Sequence, residues 1–411
     1  MSRSLDEFLS KHGLKITPNP ISHRTITTTR SFRAGTTIIK SYPLAAFPLP
    51  IYEKELCNQC LKNTKLQACS ACKKAFYCSS ICQKQAWFTQ HKFTCKKRLP
   101  LKYENIVEGA ELDEEMLRRV ALLISPHRSG NNGLGDSKLN GLYDILPKEM
   151  NISLLIEVFE ALQSHKESHP PYALFRYESI ASLVVENSNS KASKDIDKLV
   201  SYLCIFGCNN FTIHDEQMFG IGEGTYPIGS LFNHSCHPNA VVMYDGVVQI
   251  VKCIEDIDAG DEITIAYLDV VHPRRKRREI LREKYFFNCH CRKCGDDDKI
   301  IVVASLFYEL EKKQEWNEAA KVGKIVLAIY LIAYPRFHPM IGWQLFRLGQ
   351  CMSQCVKDDV DRGGKTREET LIILKHAKRV LAITFGTEIE NREVENEIHL
   401  LILQMTKLQF Q

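Results

Sequence analysis

Cysteine and histidine residues are concentrated between positions 57 and 95, where they form four closely spaced pairs. The pairs are Cys57 with Cys60, Cys69 with Cys72, Cys78 with Cys82, and His91 with Cys95. Eight soft ligands at these spacings match two tetrahedral zinc sites. So short a segment cannot bury a useful hydrophobic core, and we expect metal binding to supply its folding energy. The spacing alone allows the pairs to combine either sequentially or in an interleaved order.

A second group of cysteines lies near position 290, in a chain that holds 16 cysteines. Residues 1–7 contain no apolar signal core, so we do not expect secretion, and the thiols should stay reduced. Clustered cysteines then indicate metal ligands rather than disulfides. Cys289, Cys291 and Cys294 supply three thiolates and need a fourth ligand. The candidates are Cys204, Cys208, Cys236, Cys253 and His290. The first two have the spacing of helical core residues, and His290 is too close in sequence to complete a relaxed tetrahedron.

A dense polar run, Asn-His-Ser-Cys-His-Pro-Asn at 233–239, follows the apolar pair Leu231-Phe232. The glycines and the proline in 222–229 exclude a helix just before it. Because the run starts in the interior, its amide and imidazole groups need assigned partners. It is therefore either a ligand site or a structural knot of hydrogen bonds. Periodicity does not choose between the two.

The chain has the length and composition of an ordinary globular protein of two or three domains, with 411 residues, 44% apolar and 25% charged. Its net charge of +5 is compatible with nucleic acid or acidic partners but indicates neither. The longest apolar run, 325–334, is far too short for a membrane span, so no membrane partner is expected. The basic run 272–278 is either a nuclear localisation signal or a basic helix surface. We favour the helix surface, because charge runs usually lie on solvated faces.

Local patterns predict several elements. Residues 1–50 read as short strands and turns. Residues 241–244 and 247–251 flank Asp245-Gly246 and predict a hairpin. In a strand at 263–267, the period of two places Ile263, Ile265 and Tyr267 on one face. Residues 299–411 alternate apolar helical patterns with short breaks.

The polar run at 233–239, followed by Asp-Glu-Ile-Thr-Ile-Ala-Tyr at 261–267, resembles the core of SET-domain protein lysine methyltransferases. The early zinc-finger pattern and the late Cys-x-Cys-x2-Cys group make the order similar to that of the SET-and-MYND (SMYD) family. The resemblance implies an α+β, multi-domain fold with a β-rich SET domain, an inserted MYND zinc finger and an all-α, tetratricopeptide (TPR)-like C-terminal domain. The implied division is 1–50 for the N-terminal part of the SET domain, 51–98 for the MYND finger, 99–205 for a helical SET insertion, 206–271 for the core SET domain, 272–298 for a post-SET zinc segment and 299–411 for the helical C-terminal domain.

The resemblance also selects the zinc ligands. In MYND fingers the pairs interleave, which assigns one zinc to Cys57, Cys60, Cys78 and Cys82 and a second zinc to Cys69, Cys72, His91 and Cys95. The family pattern chooses Cys236 as the partner of Cys289, Cys291 and Cys294. We therefore expect three zinc ions, of which the third would pin a C-terminal flap onto the polar run.

The resemblance further implies S-adenosylmethionine as methyl donor and a neutral lysine amine as acceptor. Such a transfer needs alignment, desolvation and groups that tolerate a sulfonium, among them aromatic rings and backbone carbonyls. Tyr267 and Tyr285 are the implied catalytic residues: the first would orient amine and methyl group, and the second would form a wall of the channel. The implied cofactor contacts are Arg24, Asn209, Ser230, Phe232, Asn233, His234, Tyr267, Tyr285 and Phe287.

One segment departs from the family. Members usually carry a glycine-rich Gly-x-Gly-Leu segment that wraps the cofactor with its backbone, whereas this chain has His-Arg-Thr-Ile at 23–26. The departure supports an alternative, a catalytically inactive adaptor that binds proline-rich peptides of partner proteins. The intact Asn233-His234 pair and both tyrosines favour the first interpretation. That interpretation is a methyltransferase acting on lysine-bearing histone or non-histone proteins in the nucleus, the cytoplasm or both.

Overall fold

The computed structural model describes residues 3–20, 22–87, 91, 95, 115–117, 119–120, 152–187, 195–295, 304–358, 363–386 and 392–407. Most of the predicted helical insertion before residue 152 lies outside these described residues. Within them, no helix is both long enough and apolar enough to cross a membrane.

The first element is a helix, α1 (Arg3–Lys11), so the expectation of only strands and turns before residue 50 was wrong there. Its buried residues Leu5, Phe8 and Leu9 have the three- and four-residue spacing of one helix face. The next two elements, β1 (Leu14–Asn19) and β2 (His23–Thr28), pair as an antiparallel hairpin.

The remaining strands and one short helix lie between residues 37 and 265. They are β3 (Thr37–Ser41), β4 (Ala45–Pro48), β5 (Gln67–Ala68), β6 (Phe76–Tyr77), α2 (Ser80–Ala86), β7 (Asn210–His214), β8 (Gly220–Thr225), β9 (Asn233–His234), β10 (Ala240–Asp245), β11 (Val248–Cys253) and β12 (Thr264–Ile265). Two three-stranded antiparallel sheets have the orders β10-β11-β3 and β4-β8-β7. The strands β9 and β12 form a separate parallel pair, and β5 pairs with β6.

The predicted hairpin is confirmed by the pairing of β10 with β11, and Gly246 in its turn adopts a φ of +57°. The predicted strand at 263–267 is shorter than expected. It pairs with β9 over only two residues. Beyond them the backbone N–H of Tyr267 donates to the side chain of His234 instead of to a strand carbonyl. Ile263 and Ile265 are buried, and Tyr267 is half-buried.

Helices make up most of the remaining described chain. They are α3 (Ile152–Glu160), α4 (Pro171–Asn187), α5 (Ile196–Asn209), α6 (Arg274–Tyr285), α7 (Arg292–Gly295), α8 (Ala304–Lys312), α9 (Trp316–Ala333), α10 (Pro339–Asp358), α11 (Gly363–Thr384) and α12 (Arg392–Lys407). From α8 onward, each helix packs against the next. The predicted helical C-terminal region is thus confirmed for the described residues.

Two hydrophobic cores meet near Tyr267. The first joins α1, the strands around β2 and β12, and helices α3 to α5. The second joins α6, the late cysteine group and the C-terminal helices. Tyr267 packs against both cores, so its position depends on the strands around β12 and on the C-terminal helices together.

Candidate active site and metal centres

The early ligands converge in the interleaved order. Cys57, Cys60, Cys78 and Cys82 form one group, and Cys69, Cys72, His91 and Cys95 form the other, with all ligand atoms of a group within 4.8 Å of one another. The Sγ–Sγ distances are 3.6 Å from Cys60 to Cys78 and 3.8 Å from Cys69 to Cys95. A tetrahedral zinc with Zn–S bonds of about 2.3 Å separates its sulfurs by about 3.8 Å. Both donor sets therefore fit zinc.

The late group closes around Cys236. Its Sγ lies 3.6 Å from that of Cys294 and 4.0 Å from that of Cys289, and Cys291 completes the set. The competing candidate Cys253 lies in β11 and packs into the first core instead. A third set of four ligands thus fits zinc, and it joins the polar run to the segment after α6.

Arg277 is a residue of this third site that sequence analysis missed. The basic run was interpreted as a solvated helix face, which is wrong for Arg277, because this side chain is 0% exposed. Its guanidinium donates to the carbonyl of His272 at 2.6 Å and to the Sγ of Cys294 at 3.9 Å. Four thiolates around one Zn²⁺ leave a net charge of about −2, which a buried cation offsets. The sequence did contain a signal for this burial: Arg277 lies four residues before the apolar Leu281, which places both on the same helix face, and Leu281 is buried.

His234 connects the third ligand set to Tyr267. Its Nδ1 accepts the backbone N–H of Tyr267 at 3.0 Å, so the neutral ring carries its proton on Nε2. Nε2 lies 3.3 Å from the Sγ of Cys236 and donates toward it. Burial lowers the pKa of His234 to about 4, so the ring is neutral at physiological pH. Such an outer hydrogen bond orients a metal ligand.

The amide of Asn233 ties the polar run to β2 and to Glu262, two residues before β12. Its Nδ2 donates to the carbonyl of Arg24 at 2.8 Å and to Oε1 of Glu262 at 2.9 Å. Nearby, the Oδ1 of Asn239 accepts the backbone N–H of Thr264 at 2.9 Å. The polar run is therefore a hydrogen-bonded knot in this structure. That knot holds β9 beside β12.

Tyr267 and Tyr285 form the centre of the candidate active site. The hydroxyl of Tyr267 donates to the carbonyl of Phe232 at 2.6 Å, and that of Tyr285 donates to the carbonyl of Tyr267 at 3.0 Å. Their ring centroids are 4.9 Å apart. Burial raises the pKa of Tyr267 to about 12, although the nearby Arg24 acts in the opposite direction. The phenol is therefore a proton donor at neutral pH.

A cavity of about 430 Å³ opens beside these tyrosines. Of the predicted cofactor contacts, it is lined by Asn209, Ser230, Tyr267 and Tyr285. Within the described residues, its lining does not include Arg24, Phe232, Asn233, His234 or Phe287. The ring of Phe287 nevertheless lies 6.4 Å from that of Tyr267.

The connection between α9 and α10 supplies the other side of this cavity, which sequence analysis did not predict. Tyr334 and His338 line it, with their rings stacked at 4.4 Å. The hydroxyl of Tyr334 donates to Oδ1 of Asp269, two residues after Tyr267, at 2.6 Å. In the sequence, the segment Phe-His-Pro-Met at 337–340 indicated that a helix starts there. It did not indicate that this part of the chain lies beside Tyr267.

Backbone carbonyls beside the cavity already hold a cation. The guanidinium of Arg24 donates to the carbonyls of Leu231 and Ser230, at 2.5 and 3.3 Å. Arg24 belongs to the protein itself, so these contacts show that the two carbonyl oxygens accept from a positively charged group. Carbonyl oxygens and aromatic rings are also groups that suit the positive charge of a sulfonium cofactor.

Comparisons with known proteins show what the chain is similar to. Residues 57–95 match the MYND finger model. The chain is 32% identical over 268 residues to the histone-lysine N-methyltransferase SMYD3 of Mus musculus, covering 65% of this chain and 58% of that protein. It is 29% identical over 297 residues to the histone-lysine N-methyltransferase ASHR1 of Arabidopsis thaliana, covering 72% of this chain and 58% of that protein.

A longer match extends over 352 residues of the N-lysine methyltransferase SMYD2 of Sus scrofa, at 27% identity, covering 84% of this chain and 76% of that protein. The chain spans less than two thirds of the length of SMYD3 and ASHR1. The MYND match, the three ligand sets and relatives named SMYD2 and SMYD3 point the same way. The chain is therefore similar to proteins of the SET-and-MYND family.

Proposed function

We propose that this protein is an S-adenosylmethionine-dependent protein lysine N-methyltransferase acting on histone or non-histone proteins. The observation that carries the proposal is the meeting of Tyr267 and Tyr285 at one cavity, beside carbonyls that hold a cation. The names of the relatives, which describe lysine methylation, support the same reaction. Lysine-bearing proteins are the proposed substrates.

The bound donor would supply a methyl group on a positively charged sulfur, which the lone pair of a deprotonated lysine amine displaces, so that the charge passes from sulfur to nitrogen. Tyr267 would hold the amine in line, because its hydroxyl is fixed by Phe232 and stays protonated. Tyr285 would fix the backbone of Tyr267 and close a wall of the channel. Alignment and exclusion of water are the main requirements of such a transfer.

The remaining predicted contacts would act around this pair. The carbonyls of Ser230, Leu231 and Phe232 would face the positive charge of the donor, and Arg24 would then turn to its carboxylate. Asn209 would bound the same space, and Phe287 would pack on the adenine. His234 and Asn233 would position these carbonyls, the first through the third zinc site and the second through β2. The division of the chain at 50, 98, 205, 271 and 298 remains our proposal for its domains.

An adaptor without catalysis is the second candidate function, and one observation favours it. The carbonyls of Ser230 and Leu231 are already occupied by Arg24, and the Nδ2 of Asn233 already donates to Arg24 and Glu262. An adaptor needs no space for a cofactor there. Its partners would be proline-rich peptides.

Calorimetry with S-adenosylhomocysteine separates the two candidates. The methyltransferase is expected to bind this product, and to transfer labelled methyl groups from S-adenosylmethionine to lysines of a protein extract, located by mass spectrometry. Absence of both binding and transfer, in protein that retains its zinc, would favour the adaptor.

A further inference from the structure

Positive charge is concentrated in the segment that carries α6 and the late cysteines. Helix α6, at 274–285, has seven arginines and lysines but only two glutamates. Its net charge of +5 equals that of the whole chain, so the remainder of the chain is neutral on balance. A local excess of this size produces a directed electrostatic field, which a general surplus spread over the surface would not.

The arginines of α6 line a groove. Among the described residues, the groove is lined by four arginines and one glutamate: Arg274, Arg275, Arg278, Arg282 and Glu279. Arg275 and Arg282 lie seven residues apart, and Arg278 lies between them, so the three follow one stripe of the helix. Both Arg275 and Arg282 are exposed. The glutamate is bonded to Lys276 at 3.3 Å, which reduces its effect on the arginines.

The third zinc-ligand set holds part of this groove in place. The guanidinium groups of Arg274 and Arg278 both donate to the carbonyl of Cys294, at 3.4 and 3.3 Å. One carbonyl oxygen therefore draws two guanidinium groups together. The Nε of Arg278 is buried and has no hydrogen-bond partner within the described chain. Like charges four residues apart on a helix repel each other, and a bound anion would relieve that repulsion.

We propose that the arginine groove of α6 binds the phosphate backbone of a double-stranded nucleic acid. Guanidinium groups match phosphate oxygens with two parallel hydrogen bonds. No apolar side chain is among the described residues that line the groove. Interfaces between proteins usually have an apolar core, whereas interfaces with DNA are strongly positive and polar. This contrast favours a nucleic acid over an acidic peptide.

The duplex form follows from the same lining. Single strands are usually held by aromatic side chains on which the bases stack. None of the described residues that line the groove is aromatic. Contacts with phosphates alone carry no sequence information, so the binding is expected to be independent of DNA sequence. This surface is separate from the cavity at Tyr267, and the proposal does not depend on methyl transfer.

Fluorescence anisotropy with a labelled duplex of about 20 base pairs tests the proposal on the full chain, at about 50 to about 200 mM salt. The test variant is Arg275→Gln/Arg282→Gln. The control is Lys375→Gln/Lys407→Gln, which removes two exposed charges from α11 and α12. Zinc content and circular dichroism establish that both variants are folded.

Wild type and control are expected to bind alike. The test variant should bind at least about tenfold more weakly at low salt, and its plot of log K against log salt should be shallower by about two, for two lost phosphate contacts. No duplex binding by wild type at low salt, or an unchanged salt slope in the test variant, would overturn the proposal. Tighter binding of a poly-glutamate peptide than of the duplex, with the same dependence on both arginines, would assign the groove to acidic proteins instead.

Discussion

The phenol of Tyr267 should remain a donor well above neutral pH, because burial raises its pKa to about 12. A lysine amine in water has a pKa of about 10.4, so the reactive amine becomes more abundant as the pH rises. We expect the methylation rate to increase from about pH 7 to about pH 9, with no loss through ionisation of Tyr267. Initial rates at saturating cofactor measure this. If the rate of the wild-type protein declined within that range and the rate of Tyr267→Phe did not, the phenol would be ionising there. That result would contradict its role as a donor.

Arg277 is buried, unlike its exposed neighbours Arg275 and Lys276 on α6. Replacing it by methionine keeps the volume but removes the buried cation beside Cys294. By analogy with other outer-sphere contacts, we expect Arg277→Met to weaken zinc binding at the third site by about 10- to 100-fold. Competition with a chelator measures the loss. The control Lys276→Met, on the exposed face, should release zinc like wild type, and equal zinc release by Arg277→Met would contradict our account.

At the scale of elements, the third zinc joins the polar run to the segment that ends α6. Tyr285 and Phe287 lie just before Cys289, so the ligand set holds both rings near Tyr267. We expect Cys291→Ser to lower the zinc content from about three to about two per chain and to weaken binding of S-adenosylhomocysteine. Metal analysis and calorimetry measure the two effects.

The matched control for this change is Cys204→Ser. It removes a buried thiol that lies outside all three ligand groups. Three zinc ions and unaltered cofactor affinity are expected for it. Unaltered cofactor affinity in Cys291→Ser would mean that the segment after α6 does not form the pocket.

Elements with a strong local signal were predictable, and others were not. Cysteine spacing indicated all of the metal ligands except Cys236, which only the family resemblance selected. Asp245-Gly246 indicated the hairpin. Both of these signals act within a few residues. The shortening of β12 depends on His234, which lies about thirty positions earlier and takes the N–H of Tyr267. Helix α1 carried a readable pattern at Leu5, Phe8 and Leu9, but it is short and was overlooked.

At the scale of the whole molecule, the candidate site exists only because distant parts of the chain meet. Tyr267 packs against both hydrophobic cores, and the cavity beside it is completed by Tyr334 and His338. No local pattern shows that the connection between α9 and α10 will lie across the cavity from Tyr267. Sequence motifs therefore predicted the tyrosine pair, whereas this other wall of the cavity had to be seen in the structure.

The most direct test of the central claim is the turnover of Tyr267→Phe, measured as methyl transfer from labelled S-adenosylmethionine. The change removes one hydroxyl and keeps the ring. If that hydroxyl acts mainly in the transition state, turnover should fall by about 100-fold, while affinity for S-adenosylhomocysteine changes little. The control Tyr226→Phe also removes a buried hydroxyl that donates to a backbone carbonyl, here that of Val247 at 2.8 Å, and Tyr226 is not among the residues that line the cavity. Our account predicts near-normal turnover for the control. Turnover of folded Tyr267→Phe within about threefold of wild type would contradict it, since a preorganised transition-state contact is worth more than that.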